Sequence, residues 1–473
     1  MDQARIGFNA ARSLSIGVAC FSYGPLGSTP AAITIHLVKV NFPMLRSFES
    51  NSDTYLLYLD SRELPCERQA ELRAALDQGY RVVMATPTPQ AYRGYGLHHI
   101  IEANVGSYDE AEAAILAYLD ANQLTLSGIV AWKDREVELV ARLGTRLGLP
   151  CTSVAAAANV RNKTQTRALL DQIEGANPRY AAVANEEQFL AAMERVGVPA
   201  LLKPAGNSGS RGMKRIASMN GALEAYRAFA DYNARQSSEM FHYYEEVALL
   251  EQELSGSEHS MAGMVSNGEV ITMGIADKRF DRSLPLQYQN VMPSRLPAEL
   301  QQQIVALVQR AVRLTGIDHC GFHVDFMVTD EGVKVLEIGG RLGGELINSH
   351  LISLAQPGLS PYQALLEVIQ GRNPFSRNDY TTSFSTTAAS RVVVAPGLGI
   401  IEHVAGVEKV RRDPRCREFL QLYGPGDEMV LPEVKFKAYE LGYIVAQCAA
   451  SDDVDAVMDE LASRVTMTVR QPQ

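Results

Sequence analysis

Between residues 55 and 147 the sequence alternates short apolar runs with longer stretches of helical periodicity. Tyr55–Leu59, Arg81–Ala85 and Gly128–Trp132 read as buried strands. Glu67–Gln78, Asp109–Asn122 and Glu136–Leu147 read as helices, the first stopped by Gly79 and the last by Gly148-Leu149-Pro150. Further upstream, Ser15–Phe21 runs into Gly24, Pro25 and Gly27 and reads as a first strand, and Ala31–Phe48 as a helix. Strand–helix–strand alternation predicts an open parallel sheet with helices on both faces.

The texture changes after residue 151. Asn162–Asp171, Glu186–Val196 and Gly221–Asn233 read as helices among the strands Pro178–Val183, Ala200–Lys203, Val247–Leu254, Ser260–Val265 and Val270–Ile275. A helix at Glu299–Leu314 leads to strands His323–Val328 and Val333–Ile338, then to a helix at Pro361–Gln370. Beyond the polar stretch 373–383 come strands Ser390–Ala395, Glu433–Tyr439 and Tyr443–Ala449, and a closing helix Val454–Arg464. A chain of 473 residues exceeds a single core, and roughly three domains are expected from length alone. The pattern predicts an α/β region at 1–150, α+β regions at 151–275 and 276–375, and a C-terminal α+β, β-rich region at 376–473.

Charge and cysteines narrow the class. A net charge of −10 argues against nucleic acid as the main partner, because neutralising phosphates needs a surplus of Lys and Arg. Cys20, Cys66, Cys151, Cys320, Cys416 and Cys448 are scattered singly, with no C-x-x-C spacing, so a reducing, cytoplasmic setting is expected. The apolar runs fall short of the ~20 residues that span a bilayer, so no membrane association is expected. The run Ser13–Phe21 ends in Ser-Tyr-Gly-Pro, unlike a signal-peptide cleavage site.

The chemistry concentrates in four places. The first is a hairpin signal around Thr329-Asp330-Glu331-Gly332; with residues 330–332 as its loop, Asp325 lies opposite Glu337. Like charges facing across a ladder are unfavourable, so two carboxylates there want a cation between them, and Mg²⁺ shared with substrate phosphates suits hard oxygen ligands. The bland alternative is a register off by one, with one carboxylate facing solvent. The second is Glu337-Ile-Gly-Gly-Arg341-Leu-Gly343-Gly344, an arginine fork among glycines that permit close ligand approach. The alternative there is a surface salt bridge after a tight turn. The third is Leu202-Lys203-Pro204 followed by Gly206-Asn-Ser208-Gly209-Ser210-Arg-Gly212, a loop whose backbone N–H groups can cradle phosphates without matching a P-loop. The fourth is Glu251-Gln252-Glu253-Leu254-Ser-Gly-Ser-Glu258, a strand end whose backbone can pair with an adenine edge and whose Glu258 can bond a ribose hydroxyl. Taken alone it is an ordinary acidic strand end. Lys278 and Arg279 are either further phosphate or carboxylate contacts or a solvated basic turn. His319, His323 and His350 read as packed or structural, Trp132 as core, and neither Tyr288 nor Met292 as chemistry.

Taken in order, Lys163, Lys203 with its loop, Glu251 to Glu258, Lys278, Asp325, Glu337 and Arg341 resemble the ATP-grasp superfamily of carboxylate–amine ligases, and most of all its L-amino acid (dipeptide) ligases. The resemblance covers nearly the whole chain. It implies an ATP-grasp fold, multidomain α/β and α+β, with an N-terminal open parallel α/β sheet and a C-terminal β-rich subdomain. Arg161-Asn-Lys163-Thr-Gln-Thr-Arg167 is similar to the family's Lys-containing helix. Lys163 and Lys203 would contact the α/β-phosphates, and Ser208, Gly209, Ser210 and Gly212 would cover the β/γ-phosphates. Glu251, Gln252, Leu254 and Glu258 would hold the nucleoside, and Asp325 and Glu337 would hold Mg²⁺, with Mn²⁺ able to substitute. Arg341 and Lys278 would be catalytic, and Arg341, Gly343, Gly344 and Arg279 would meet the substrate. The implied activity is ADP-forming ligation of an amino acid carboxylate to an amine, for which ATP and amino acids are the partners; the resemblance also allows a homodimer. The alternatives are a ligase for another carboxylate and amine, in natural-product or purine-type metabolism, or a non-catalytic nucleotide-binding regulator. One departure stands out: many relatives carry Glu-x-Asn after the second metal strand, with Asn as an extra ligand, whereas this chain has Glu337-Ile338-Gly339.

Overall fold

In a computed structural model of the protein the described residues are 54–209, 211–281, 286–377, 384–430 and 439–471. The expected elements Ser15–Phe21 and Ala31–Phe48, most of Glu433–Tyr439, and Ser210 lie outside them.

The alternating region forms a parallel sheet in the order His99–Glu102, Arg81–Thr86, Thr54–Leu59, Thr125–Ala131. Its central strands are largely apolar because both faces are covered, as expected of parallel sheets. Leu56, Tyr58, Val82, Met84 and Val130 pack on one face with the helix Pro65–Leu76. Leu57, Leu59, Val83, Ala85 and Ile129 pack on the other with helices Tyr108–Ala121 and Val137–Leu147. Gly148 ends the last helix in the left-handed conformation, at φ +66°. The edge strand His99–Glu102 was not expected, since His99 and Glu102 leave only Ile100 and Ile101 as an apolar run.

A small antiparallel sheet follows, in the order Tyr180–Val183, Ala248–Gln252, Ala200–Pro204, Lys214–Ile216. Helices Glu186–Val196 and Ala222–Ala234 cover it through Phe189, Met193 and Phe229. The Asn185 side chain caps the first of these by accepting from the Gln188 backbone N–H at 2.9 Å.

The largest sheet is antiparallel and eight-stranded among the described residues. Its order is Gly332–Gly339, Cys320–Thr329, Ser257–Ser266, Glu269–Asp281, Leu286–Met292, Thr387–Val394, Glu440–Cys448, Cys416–Gln421. Helix Ala298–Thr315 packs Ile304, Val308 and Val312 against Phe322, Val324 and Phe326 on one face. Two expected boundaries cut across this sheet. The one at 275–276 falls inside the strand Glu269–Asp281, and the one at 375–376 separates Leu286–Met292 from its ladder partner Thr387–Val394. Hydrogen-bonded pairing, not sequence texture, decides which segments share a core. The five described cysteines are free thiols, and no described helix is long and apolar enough to cross a membrane.

Candidate functional site

The hairpin at the sheet edge sets the site's geometry. Thr329 pairs with Gly332, so the loop is the two residues Asp330 and Glu331, not the expected three. Regular pairing from there would put Asp325 opposite Leu336. A β-bulge shifts the register by one, and Asp325 faces Glu337 after all. Arg167 holds the bulge open: its guanidinium donates to the carbonyls of Val335 and Leu336, each at 2.8 Å. The same buried arginine pairs with Glu251, which also accepts from Lys203 at 2.6 Å. Burial pushes the Glu251 carboxyl up, but the Arg167 and Lys203 charges outweigh it and hold the group at about 2.

Strand alternation brings the next group together. The Lys278 ammonium is buried 3.0 Å from Asp325, 3.1 Å from Glu258 and 3.7 Å from Glu345. Burial opposes its charge, yet the carboxylates of Asp325, Glu345 and Glu258 hold it well above the ordinary lysine range. Burial drives Glu258 to about 7 against the pull of Lys278, with Asp325 adding to the rise. Burial likewise opposes ionisation of Asp325, but the Lys278 ammonium keeps its carboxyl below the usual value. Arg279, the next residue on the strand, points the other way and reaches Asp455 at 3.5 Å. The structure therefore does not bring Arg279 to the other candidates.

Lys163 joins the hairpin to the glycine loop. Its ammonium lies 4.0 Å from Glu337 and donates to the Asn207 carbonyl. Burial pushes that ammonium down, with Glu337 resisting. The loop is held on its far side. Arg161 donates to the Gly206 carbonyl at 2.8 Å, and the Asn207 side chain accepts from the Ser208 N–H at 2.8 Å. A Cβ on Gly206 would collide with the backbone carbonyl of Tyr243. The Tyr243 ring stacks on Tyr108, with centroids 5.3 Å apart, and its hydroxyl bonds the Gly106 carbonyl. Gly209 and Gly212 both have positive φ, and Asn233 donates to the Gly212 carbonyl at 3.1 Å. Gln252 lies in the strand Ala248–Gln252, and Leu254 follows that strand, half-buried.

Arg341 is engaged by a residue from the parallel-sheet region. Its guanidinium grips Asp134 with two bonds, at 3.1 and 2.5 Å. Burial opposes ionisation of Asp134, but the Arg341 and Arg161 charges hold its carboxyl far below the usual range. The glycine segment after Arg341 is pinned from the same region. Arg62 donates to the carbonyls of Leu342 and Gly343 at 2.5 and 3.1 Å, and Glu67 accepts from the Leu346 N–H at 3.3 Å. Glu345 and Leu346 take left-handed backbone at φ +61° and +66°, a strained pair of the kind found at functional sites.

Residues 196–349 match the ATP-grasp domain family. The fold is the ATP-grasp fold. A solved L-amino acid ligase from Bacillus licheniformis superposes with a TM-score of 0.74, covering 89% of this chain and all of that one at 18% identity. An uncharacterised protein of Sinorhizobium fredii is 25% identical over 404 residues, 80% of each chain. The alanine–anticapsin ligase of Bacillus subtilis is 25% identical over 243 residues, which span 49% of this chain and 51% of that relative. The matched ATP-grasp segment holds Lys203, Glu251, Glu258, Lys278, Asp325, Glu337 and Arg341; Lys163 and Asp134 precede it.

Sequence reasoning missed Asp134, Arg62, Glu67 and Tyr243. Asp134 had a legible signal, because polar residues just past the carboxyl end of a parallel strand, here Thr125–Ala131, line the crevice of open α/β sheets. The others act through contacts with distant segments, and no local spacing announces them.

A divalent cation fits this donor set. Two half-buried carboxylates face each other across the hairpin, and a Lys278 ammonium already rests on one of them. Among the described residues no three His, Cys, Asp or Glu side chains gather into a complete cage. Mg²⁺ commonly binds through one or two carboxylates together with substrate phosphates, and the Asp325–Glu337 pair is of that kind.

Proposed function

We propose that the protein is an ATP-dependent carboxylate–amine ligase that joins an amino acid carboxylate to the amine of a second amino acid. One observation carries this reading: a run of contacts links the glycine loop, through Asn207 and Lys163, to Glu337, and Glu337 faces Asp325, whose carboxylate pairs with Lys278, which in turn pairs with Glu258. Groups suited to phosphate and a carboxylate pair thus lie along one line of contacts, which supports this reading. The similarity to a ligase named for alanine and anticapsin, and the fold shared with an L-amino acid ligase, support the same class.

In this reading Lys163 and Lys203 neutralise the α/β-phosphates of ATP, and the backbone amides near Ser208–Gly212 cover the β/γ-phosphates. Glu258 bonds the ribose, and the Glu251–Leu254 segment borders the adenine. Asp325 and Glu337 would hold Mg²⁺, which would offset the negative charge of the phosphates. The carboxylate oxygen of the first amino acid attacks the γ-phosphorus, the bond to the bridging oxygen breaks, and ADP leaves with an acyl phosphate formed. The amine of the second amino acid attacks the acyl carbon, loses a proton, and expels phosphate. Arg341 and Lys278 stabilise the negative charge that develops in both steps. Closure of the glycine loop excludes water, which would otherwise consume the acyl phosphate.

The test is product analysis with ATP, Mg²⁺ and a matrix of paired L-amino acids. ADP and phosphate released only with particular pairs are expected. AMP and pyrophosphate would replace this mechanism with adenylation. Glu337→Ala and Arg341→Ala should each abolish that turnover in a folded protein, and full activity in either would remove the residue from the site.

A further inference from the structure

Gly339 stands where the related Glu-x-Asn pattern places an amide side chain. The structure shows what occupies that space. His323 is the cross-strand partner of Gly339, on the hairpin that pairs Asp325 with Glu337. A Cβ built on Gly339 would fall inside the His323 imidazole, closest to Cε1. The bulge lies beyond this stretch, between Asp325 and Phe326, so regular alternation puts His323 and Asp325 on one face, with Gly339 and Glu337 opposite them. The imidazole is therefore on the carboxylate face, filling the position a side chain at 339 would take.

Its two nitrogens have different surroundings. Nδ1 lies 3.2 Å from the Arg341 carbonyl oxygen, which can only accept, so Nδ1 carries the proton of the neutral ring. Nε2 is left with its lone pair and makes no hydrogen bond among the described residues, although the residue is only 6% exposed. A histidine whose Nδ1–H is anchored on a backbone carbonyl and whose Nε2 is free has the arrangement of a metal ligand oriented from behind. A hydrophobic packing role would not need that anchor, nor the glycine that makes room for the ring.

We propose that His323 Nε2 is a cation ligand beside Glu337, supplying from the opposite strand the donor that residue 339 lacks. The inference rests on the ligase reading above and deepens it. An imidazole nitrogen favours Mn²⁺ over Mg²⁺ more than an amide oxygen does, so Mn²⁺ is the expected stronger binder.

The test uses the full-length protein with Mn²⁺ and the methylene analogue of ATP, which has no bridging nitrogen. Labelling with ¹⁵N-histidine and recording pulsed electron paramagnetic resonance of bound Mn²⁺ should show a ¹⁵N coupling in place of ¹⁴N. In binding titrations His323→Ala should weaken Mn²⁺ by about tenfold or more. The single variant Gly339→Asn should also bind poorly, because the ring blocks the new side chain. The double variant His323→Ala/Gly339→Asn should regain affinity, with its preference moved toward Mg²⁺. Bound Mn²⁺ without histidine coupling would overturn the His323 assignment and leave the ligase reading standing. No nucleotide-dependent Mn²⁺ binding at all would overturn both.

Discussion

Arg341 follows Glu337 among glycines, yet its guanidinium closes on Asp134, 207 residues upstream. The glycines let a distant carboxylate approach, and the buried pair fixes where the fork points. Removing one partner of a buried pair strands the other charge. Asp134→Asn is therefore expected to lower stability by about 3 kcal/mol in urea unfolding and to reduce amino acid-dependent ADP release by loosening Arg341. A change in unfolding midpoint too small to measure would show that Arg341 finds another partner. At this scale the sequence was legible wherever chemistry follows residue type and short spacing. Asp325 and Glu337 could be singled out because like charges facing each other across a hairpin want a cation, whereas Lys278 read equally well as a phosphate contact or a solvated basic turn. Arg279 looked equivalent to Lys278 until strand alternation turned it toward Asp455.

Among the elements, the hairpin and the glycine loop show how local patterns depend on remote support. Asp325 meets Glu337 through a two-residue turn and a bulge together, and Arg167 holds the bulge carbonyls from another region of the chain. The expected pairing was right, but the expected loop was not, because nothing in the local sequence marks Leu336 as the extra residue. The glycine loop rests on the Tyr243 backbone, where Gly206 has no room for a Cβ. Gly206→Ala should displace the loop and raise the Kd for ATP roughly tenfold, equivalent to about 1.4 kcal/mol, as read by calorimetric titration. Unchanged affinity would show that the nucleotide does not touch this loop. The strand Glu269–Asp281 teaches a related lesson, since a domain boundary drawn from texture fell within it.

Over the whole molecule, the site is assembled from three sheets tied by buried ion pairs, and that makes its stability pH-dependent. Glu251 has an ordinary value of 4.5 and is held at about 2 in the fold by Arg167 and Lys203, against the cost of burial. A depressed carboxyl stabilises the fold fully above its unfolded value, and the contribution fades as pH falls toward the folded one. The difference corresponds to about 3 kcal/mol. The expected outcome is a steep loss of stability between pH 4.5 and 2, with a shallower slope over the same window in Glu251→Gln. An unchanged slope in that variant would assign the acid sensitivity to other carboxyls.

The sequence by itself determined the alternation that makes the parallel sheet, most strands and helices, and the residues capable of phosphate and cation chemistry. Those features depend on periodicity, glycine and charge, all of which act over a few residues. Only the tertiary structure decided the register at Leu336, the capture of Arg341 by Asp134, the diversion of Arg279, and the place of His323 over Gly339. Each of these depends on which distant segment fills a space or balances a charge, and close packing settles that only when the whole chain is folded.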